Sequence, residues 1–206
     1  MAEFRLHCFG ESGNAYKVAL MLQFCGLDWE PVKIDFFKGE TRGTKFRQDV
    51  NEMGEAPVLE HKGKLLSQSG VILDYLACLT GKFGWANEDE RREIYRWILF
   101  DNHKFTASIA TLRYQVALMK QPESDVTKFL RGRVENAMKV VEAHLAHTDF
   151  IACGRMTIAD LSLCGYLFYG EELPFDISPR VDAWCQKIRA LPGWKHPYDL
   201  MPRALV

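Results

Sequence analysis

The stretch 54–75 reads GEAPVLEHKGKLLSQSGVILDY and carries the residues best placed to hold a small peptide. Val58 and Leu59 are apolar, Lys62-Gly63-Lys64 is a turn, and Leu65-Leu66 resumes a strand before a helix that opens at Gln68-Ser69. Pro57, at the mouth of the first strand, has no N–H for a ladder and belongs at an edge or bend. A cis Ala56-Pro57 bond there leaves the N–H and C=O of Ala56 free to pair with an extended peptide as an added strand. Ser69 and the unpaired N–H groups of a helix N-terminus could then take that peptide's carboxylate. The same residues also fit an ordinary hairpin followed by a capped helix.

The elements around this stretch set its context. Residues 4–9 (FRLHCF) alternate as a strand, Glu11-Ser12-Gly13-Asn14 is a turn with helix-start character, and 16–25 is apolar at helical spacing. Gly26 ends that helix in the left-handed C′ role. Residues 29–36 read as a second strand, parallel to the first across the helix. A polar loop with an irregular helix over 37–51 leads to the hairpin. The order βαβαββα is that of a thioredoxin-like domain over residues 1–80.

Residues 81–87 form a linker, and 88–206 read as an all-helical domain. One long helix is expected over 88–118, a second over about 126–146, a third from Thr157 and a fourth from about Pro179. Thr157 and Asp160 have the spacing of a capping box with Asp in place of Glu, which stabilises the helix start by about 1 kcal/mol and is not a catalytic pair.

Bulk properties exclude several classes of function. The net charge is −1, so nothing points to nucleic acid or to a charged membrane surface. No long uncharged apolar run is present, and Met1-Ala2-Glu3 leads straight into a strand pattern without a signal-peptide layout. The six cysteines are scattered without CxxC or paired metal-ligand spacing. Free thiols point to a reducing, cytoplasmic compartment.

Five motifs in order, SGNAYKV at 12–18, APVL at 56–59, QSGVILDYL at 68–76, TIADLSL at 157–163 and LPGWKHPYDLMP at 191–202, resemble those of the cytosolic glutathione transferases. The resemblance covers essentially the whole chain and is nearest to a bacterial group with an S/T-x-N active-site motif, which GETRGTKF at 39–46 also fits. It implies a homodimer whose thioredoxin-like domain binds glutathione as co-substrate, with no metal. Its helical domain is implied to line the pocket for a small electrophile, with no nucleic-acid or membrane partner.

A thiol near pKa 8.5 is only a few per cent ionised at pH 7, and the thiolate is the nucleophile. The resemblance makes Ser12 the first choice for stabilising it and Asn14 its partner, although either could be a plain helix cap. It carries glutathione contacts to Ala56 and Pro57, to Gln68 and Ser69 at the γ-glutamyl end, and to Lys38 at the glycyl carboxylate. Asp101 is the candidate for the γ-glutamyl amine across a dimer. Phe100, His103, Lys104 and Ala107 are expected to line the co-substrate pocket, within a stripe including Trp97 that also reads as core or interface. Cys8 is a competing nucleophile that would form a mixed disulfide, or else a buried strand cysteine. His7 alternates to the face opposite Cys8, as a partly exposed strand residue.

Two departures stand out. The usual N-P before the cis-proline motif is Asn51-Glu52 here, and Glu55 replaces a basic or neutral residue. The second puts the glycyl-carboxylate contact in question. Alternatives to a transferase are a glutathione-dependent disulfide or peroxide reductase, and a non-catalytic binding module on the same scaffold.

Overall fold

A computed structural model describes residues 2–205 of the chain. The chain divides into two compact units. One takes the chain up to Lys82 together with the segment from Pro192 onward, and the other is Phe83–Leu191.

The first unit is built on a four-stranded sheet. Its strands are β1 (Phe4–Cys8), β2 (Trp29–Lys33), β3 (Val58–His61) and β4 (Lys64–Ser67), in the order β2-β1-β3-β4. β1 and β2 are parallel, as a crossover through α1 (Gly13–Cys25) requires, and the other two pairings are antiparallel. Along β1, Phe4, Leu6 and Cys8 are buried while Arg5 and His7 alternate to the other face. The His7 ring is largely covered there, with its Nε2 buried 3.7 Å from the Glu60 carboxylate.

Helix α1 ends at Gly26, whose φ of 69° only glycine adopts readily and whose N–H closes on Gln23 and Leu22. α2 (Thr44–Asp49) follows two 3₁₀ turns, and α3 (Ser69–Thr80) packs against α1. β2 stops at Lys33 rather than running to Phe36. The Asp35 N–H is taken by the Glu40 carboxylate at 2.7 Å, which turns the chain into the first 3₁₀ segment.

The second unit is helical: α4 (Glu88–Phe100), α5 (Thr106–Arg113), α6 (Asp125–Leu145), α7 (Ile158–Cys164) and α8 (Pro179–Arg189). Side chains of Asn87, Ser124, Thr157 and Ser178 cap four of them, so each start is encoded locally. The helix expected over 88–118 is one continuous run that relaxes to π geometry at Asp101–Phe105 and Tyr114–Leu118. Thr106 marks the first relaxation: its N–H and its Oγ1 both bond Asp101, five residues back.

Thr157 and Asp160 form the reciprocal capping box, and Asp160 does more than cap. Its buried carboxylate also accepts from Ile151 N–H at 2.8 Å and from Trp184 Nε1 at 3.0 Å, tying two further segments to the start of α7.

Residues 192–205 depart from the expected 88–206 domain. They leave the helical unit, form a short helix α9 (Pro197–Leu200) and pack with the first unit against α1. What brings them back is a set of backbone carbonyls and amides engaged by the β1–α1 turn.

Candidate active site

Ser12 is the N-cap of α1. Its Oγ accepts the Ala15 N–H at 3.2 Å, and the residue is 6% exposed. A hydroxyl that accepts one hydrogen bond keeps its own proton to donate. The cap and the donor are therefore the same side chain used in two directions. No acidic residue lies in the first turn of α1, so the partial positive charge of that terminus is not offset within the helix. Asn14, one residue into the helix, is half-buried, and its carboxamide makes no hydrogen bond to any described residue.

Cys8 ends the strand that leads to this turn. It is fully buried, and burial pushes its thiol up to about 12, so it stays protonated near neutral pH. A buried neutral thiol cannot serve as the nucleophile of a mixed-disulfide route.

The turn is fastened from the C-terminal segment, which sequence reasoning missed. Gly10 N–H donates to Pro202 O at 2.7 Å. The Glu11 carboxylate accepts from Ala204 N–H at 2.9 Å and from Leu205 N–H at 3.0 Å. Tyr16, one turn into α1, donates its hydroxyl to Lys195 O at 2.8 Å.

The second half of the candidate site lies between α2 and α3. The Ala56-Pro57 bond is cis, and no described residue pairs with the backbone N–H or C=O of Ala56. The bend that delivers Ala56 is held by Asn51, whose Nδ2 donates to Glu55 O at 2.9 Å and whose Oδ1 accepts Met53 N–H at 3.2 Å. Gly54 completes it. At φ 69° it lies against the Arg47 guanidinium and Thr41 O, and a Cβ would come within 2.6 Å of Arg47 Nη2. The Asn-x-x-Gly spacing was the available signal for this bend.

Gln68 adopts φ 67° and ψ 113°, a left-handed backbone that a residue with a side chain rarely takes. Its Nε2 donates to Glu55 Oε2 at 2.8 Å and contacts Met53 Sδ at 3.3 Å. Ser69, the next residue, opens α3 with its hydroxyl nearly buried and unbonded to any described residue. The first turn of α3 has no acid either. Glu55, Gln68 and Ser69 are therefore brought together at one helix N-terminus.

Several expected residues sit elsewhere. Lys38 projects from a 3₁₀ turn and holds Asp35 at 3.2 Å. Asp101 cannot reach a ligand amine. It is fully buried, and its two oxygens take the hydroxyls of Thr106 and Ser162, each at 2.6 Å. In the helical unit, Phe100 and Lys104 line an open groove of about 490 Å³ with Phe129, Arg133, Asn136 and Val140. His103 and Ala107 are exposed near this groove without lining it, and His103 contributes its carbonyl to Arg133. Trp97 is buried. Among the described residues no group of three or more His, Cys, Asp or Glu could hold a metal ion, and no helix is long and apolar enough to cross a membrane.

Comparison with known proteins places the two units in one frame. Residues 3–78 match the family model for the N-terminal domain of glutathione S-transferases, and residues 105–192 match the model for the C-terminal domain. The structure is similar to that of a possible glutathione S-transferase from Rhodopseudomonas palustris, with 31% identity, TM-score 0.88, and 95% of this chain and 98% of that one covered. A glutathione S-transferase from Xanthobacter autotrophicus aligns at 30% identity and TM-score 0.87, over 95% and 98% of the two chains. In sequence, glutathione S-transferase 2 of Schizosaccharomyces pombe is 27% identical, covering 99% of this chain and 98% of its own.

Proposed function

Because this chain belongs to the glutathione S-transferase family, we infer that it binds glutathione, ionises its thiol and transfers it to small hydrophobic electrophiles. The observation that carries this reading is the geometry of Ser12, whose lone pair caps α1 while its proton remains free at a helix N-terminus.

Glutathione lies along the free backbone edge of Ala56 ahead of cis-Pro57 and pairs its cysteinyl unit there. Its γ-glutamyl carboxylate meets Ser69 and the N-terminal amides of α3, beside Gln68. The cysteinyl sulfur is then stabilised by the Ser12 hydroxyl, the α1 N-terminus and the Asn14 carboxamide. Each drop of one in thiol pKa requires about 1.4 kcal/mol of preference for the thiolate, which two or three such donors supply. The thiolate attacks the electrophilic carbon, a C–S bond forms, and the electron pair leaves on the displaced group or moves onto a conjugated acceptor. Asn14, two residues after Ser12, supports placing the chain in the S/T-x-N group.

The glycyl carboxylate is the weakly held end. Lys38 is occupied by Asp35, and Glu55 brings negative charge close to the peptide. The burial and high pKa of Cys8 argue against the reductase alternative.

The working form is a homodimer, a reading supported by the exposed apolar residues Val126, Phe129 and Val140 on α6. Phe100 and Lys104 bound that face and, with His103 and Ala107, remain the helical unit's candidates for electrophile contact. Six unpaired thiols support a cytoplasmic setting, and transfer of glutathione to electrophiles there would serve detoxification. The reading is tested by following thiolate absorbance of bound glutathione against pH, alongside conjugation rates over a panel of aryl halides and α,β-unsaturated carbonyls. A bound thiol titrating as it does in free glutathione would overturn it.

A further inference from the structure

We infer that the C-terminal segment is part of the thiolate-activating site, and that Glu11, held by that segment, is the positioning residue for Ser12. This rests on the reading that Ser12 polarises the glutathione thiolate.

Ser12 is bracketed on both sides by contacts to residues 195–205. Before it, Gly10 donates its N–H to Pro202 O at 2.7 Å, an approach so close that a Cβ on Gly10 would lie 2.9 Å from the Tyr198 ring and 3.2 Å from Met201 O. Next to it, the Glu11 side chain is fully buried, its two oxygens taking the amides of Ala204 and Leu205, with Arg203 Nε at 3.8 Å. After it, Tyr16 is fixed through Lys195 O. The turn therefore cannot shift without breaking contacts to three separate points of the segment.

The chemistry of Glu11 makes it more than an anchor. A buried carboxylate next to a site built for an anion opposes that anion unless its charge is neutralised. Here two amides and a guanidinium face it, all from the C-terminal segment. The segment offsets the Glu11 charge and fixes the angle at which Ser12 enters α1, so Glu11 acts on the thiol through the position of Ser12 and not through its own field. A purely structural anchor would change stability while leaving the titration of bound glutathione alone.

The test uses the full-length protein carrying Glu11→Gln, with Tyr16→Phe as a second variant that keeps the buried ring and removes only its hydroxyl. Glu11→Gln retains an acceptor and loses the second carboxylate oxygen. For Glu11→Gln the bound thiol's pKa is expected to rise by about one, and kcat at neutral pH to fall about tenfold, because small misplacements of a catalytic group are costly. KM for glutathione is expected to stay within about twofold, since Ala56, Gln68 and Ser69 lie on other elements. Tyr16→Phe is expected to move both quantities the same way, about threefold in rate. An unchanged thiol pKa in both variants, or a loss confined to KM, would overturn the inference. If Ser12→Ala itself leaves the thiol pKa unchanged, the serine reading fails. If Ser12→Ala raises it and neither of the other variants does, only this inference fails.

Discussion

The Ala15 N–H donates to Ser12 Oγ across 3.2 Å, so the side chain that starts α1 is also the one with a proton to give. Ser12→Ala removes both roles. The expected outcome is a rise of about two in the bound thiol's pKa and a fall of about a hundredfold in kcat/KM at neutral pH, the size of effect seen when one preorganised donor is lost. Stability falls separately by about 1 kcal/mol from the lost cap. Ser12→Thr retains both functions. Thiolate absorbance against pH and a denaturant melt read the two effects independently.

The thiols divide by burial. Cys78 is exposed, Cys25 and Cys153 are partly covered, and Cys8, Cys164 and Cys185 are buried. Burial pushes Cys8 and Cys185 up to about 12. An aromatic disulfide reagent added to native protein should therefore modify Cys78 at once, and the three buried cysteines only on unfolding, as peptide mass mapping would show. Fast labelling of Cys8 in the native state would reopen the reductase route.

Glu55 donates nothing to a ligand that carries a net negative charge. Replacing it with Gln removes a carboxylate beside Ala56 and preserves an acceptor for Gln68. Glutathione affinity of Glu55→Gln should rise by up to about fivefold at low ionic strength, with the gain shrinking in salt, as calorimetric titration would show.

Burial raises the Asp160 carboxyl to about 6 despite its four donors. Its protonated form is thus favoured in the folded chain, a contribution fully present below about pH 4 and lost as pH rises through about 6. Asp160→Asn removes this dependence, since its amide does not titrate. The stability advantage of wild type over the variant should accordingly be larger at about pH 4 than at pH 7, by ~2 kcal/mol. At neutral pH the variant still loses about 2 kcal/mol, because one amide oxygen cannot serve every donor. Urea melts of both proteins at the two pH values decide the matter.

Phe129 is 62% exposed on α6. If that face joins two copies, Phe129→Glu buries a charge at the contact and should shift the protein to monomer in sedimentation velocity, with the helical signal unchanged.

Local rules account for much of what could be read from the chain. The capping residues, the Gly26 stop, the hairpin at Lys62-Gly63 and the Thr157–Asp160 box all act within a few positions, so the element order was legible. So were Ser12, Ala56 and Gln68-Ser69 as polar groups at strand ends and helix starts. Asp101 was not, because the partner that buries it, Ser162, lies 61 residues away. Glu11 was missed for a sharper reason. Its partners are main-chain amides of Ala204 and Leu205, more than 190 positions on, and any residue but proline offers the same amide.

That return of the chain end has a consequence for biosynthesis. The β1–α1 turn is translated well before residues 195–205, which supply hydrogen-bond partners to Gly10, Glu11 and Tyr16. The helical unit, translated in between, holds its own helices and capping network and can close earlier. The serine turn can then take its final shape only after the helical unit between it and residues 195–205 has been translated.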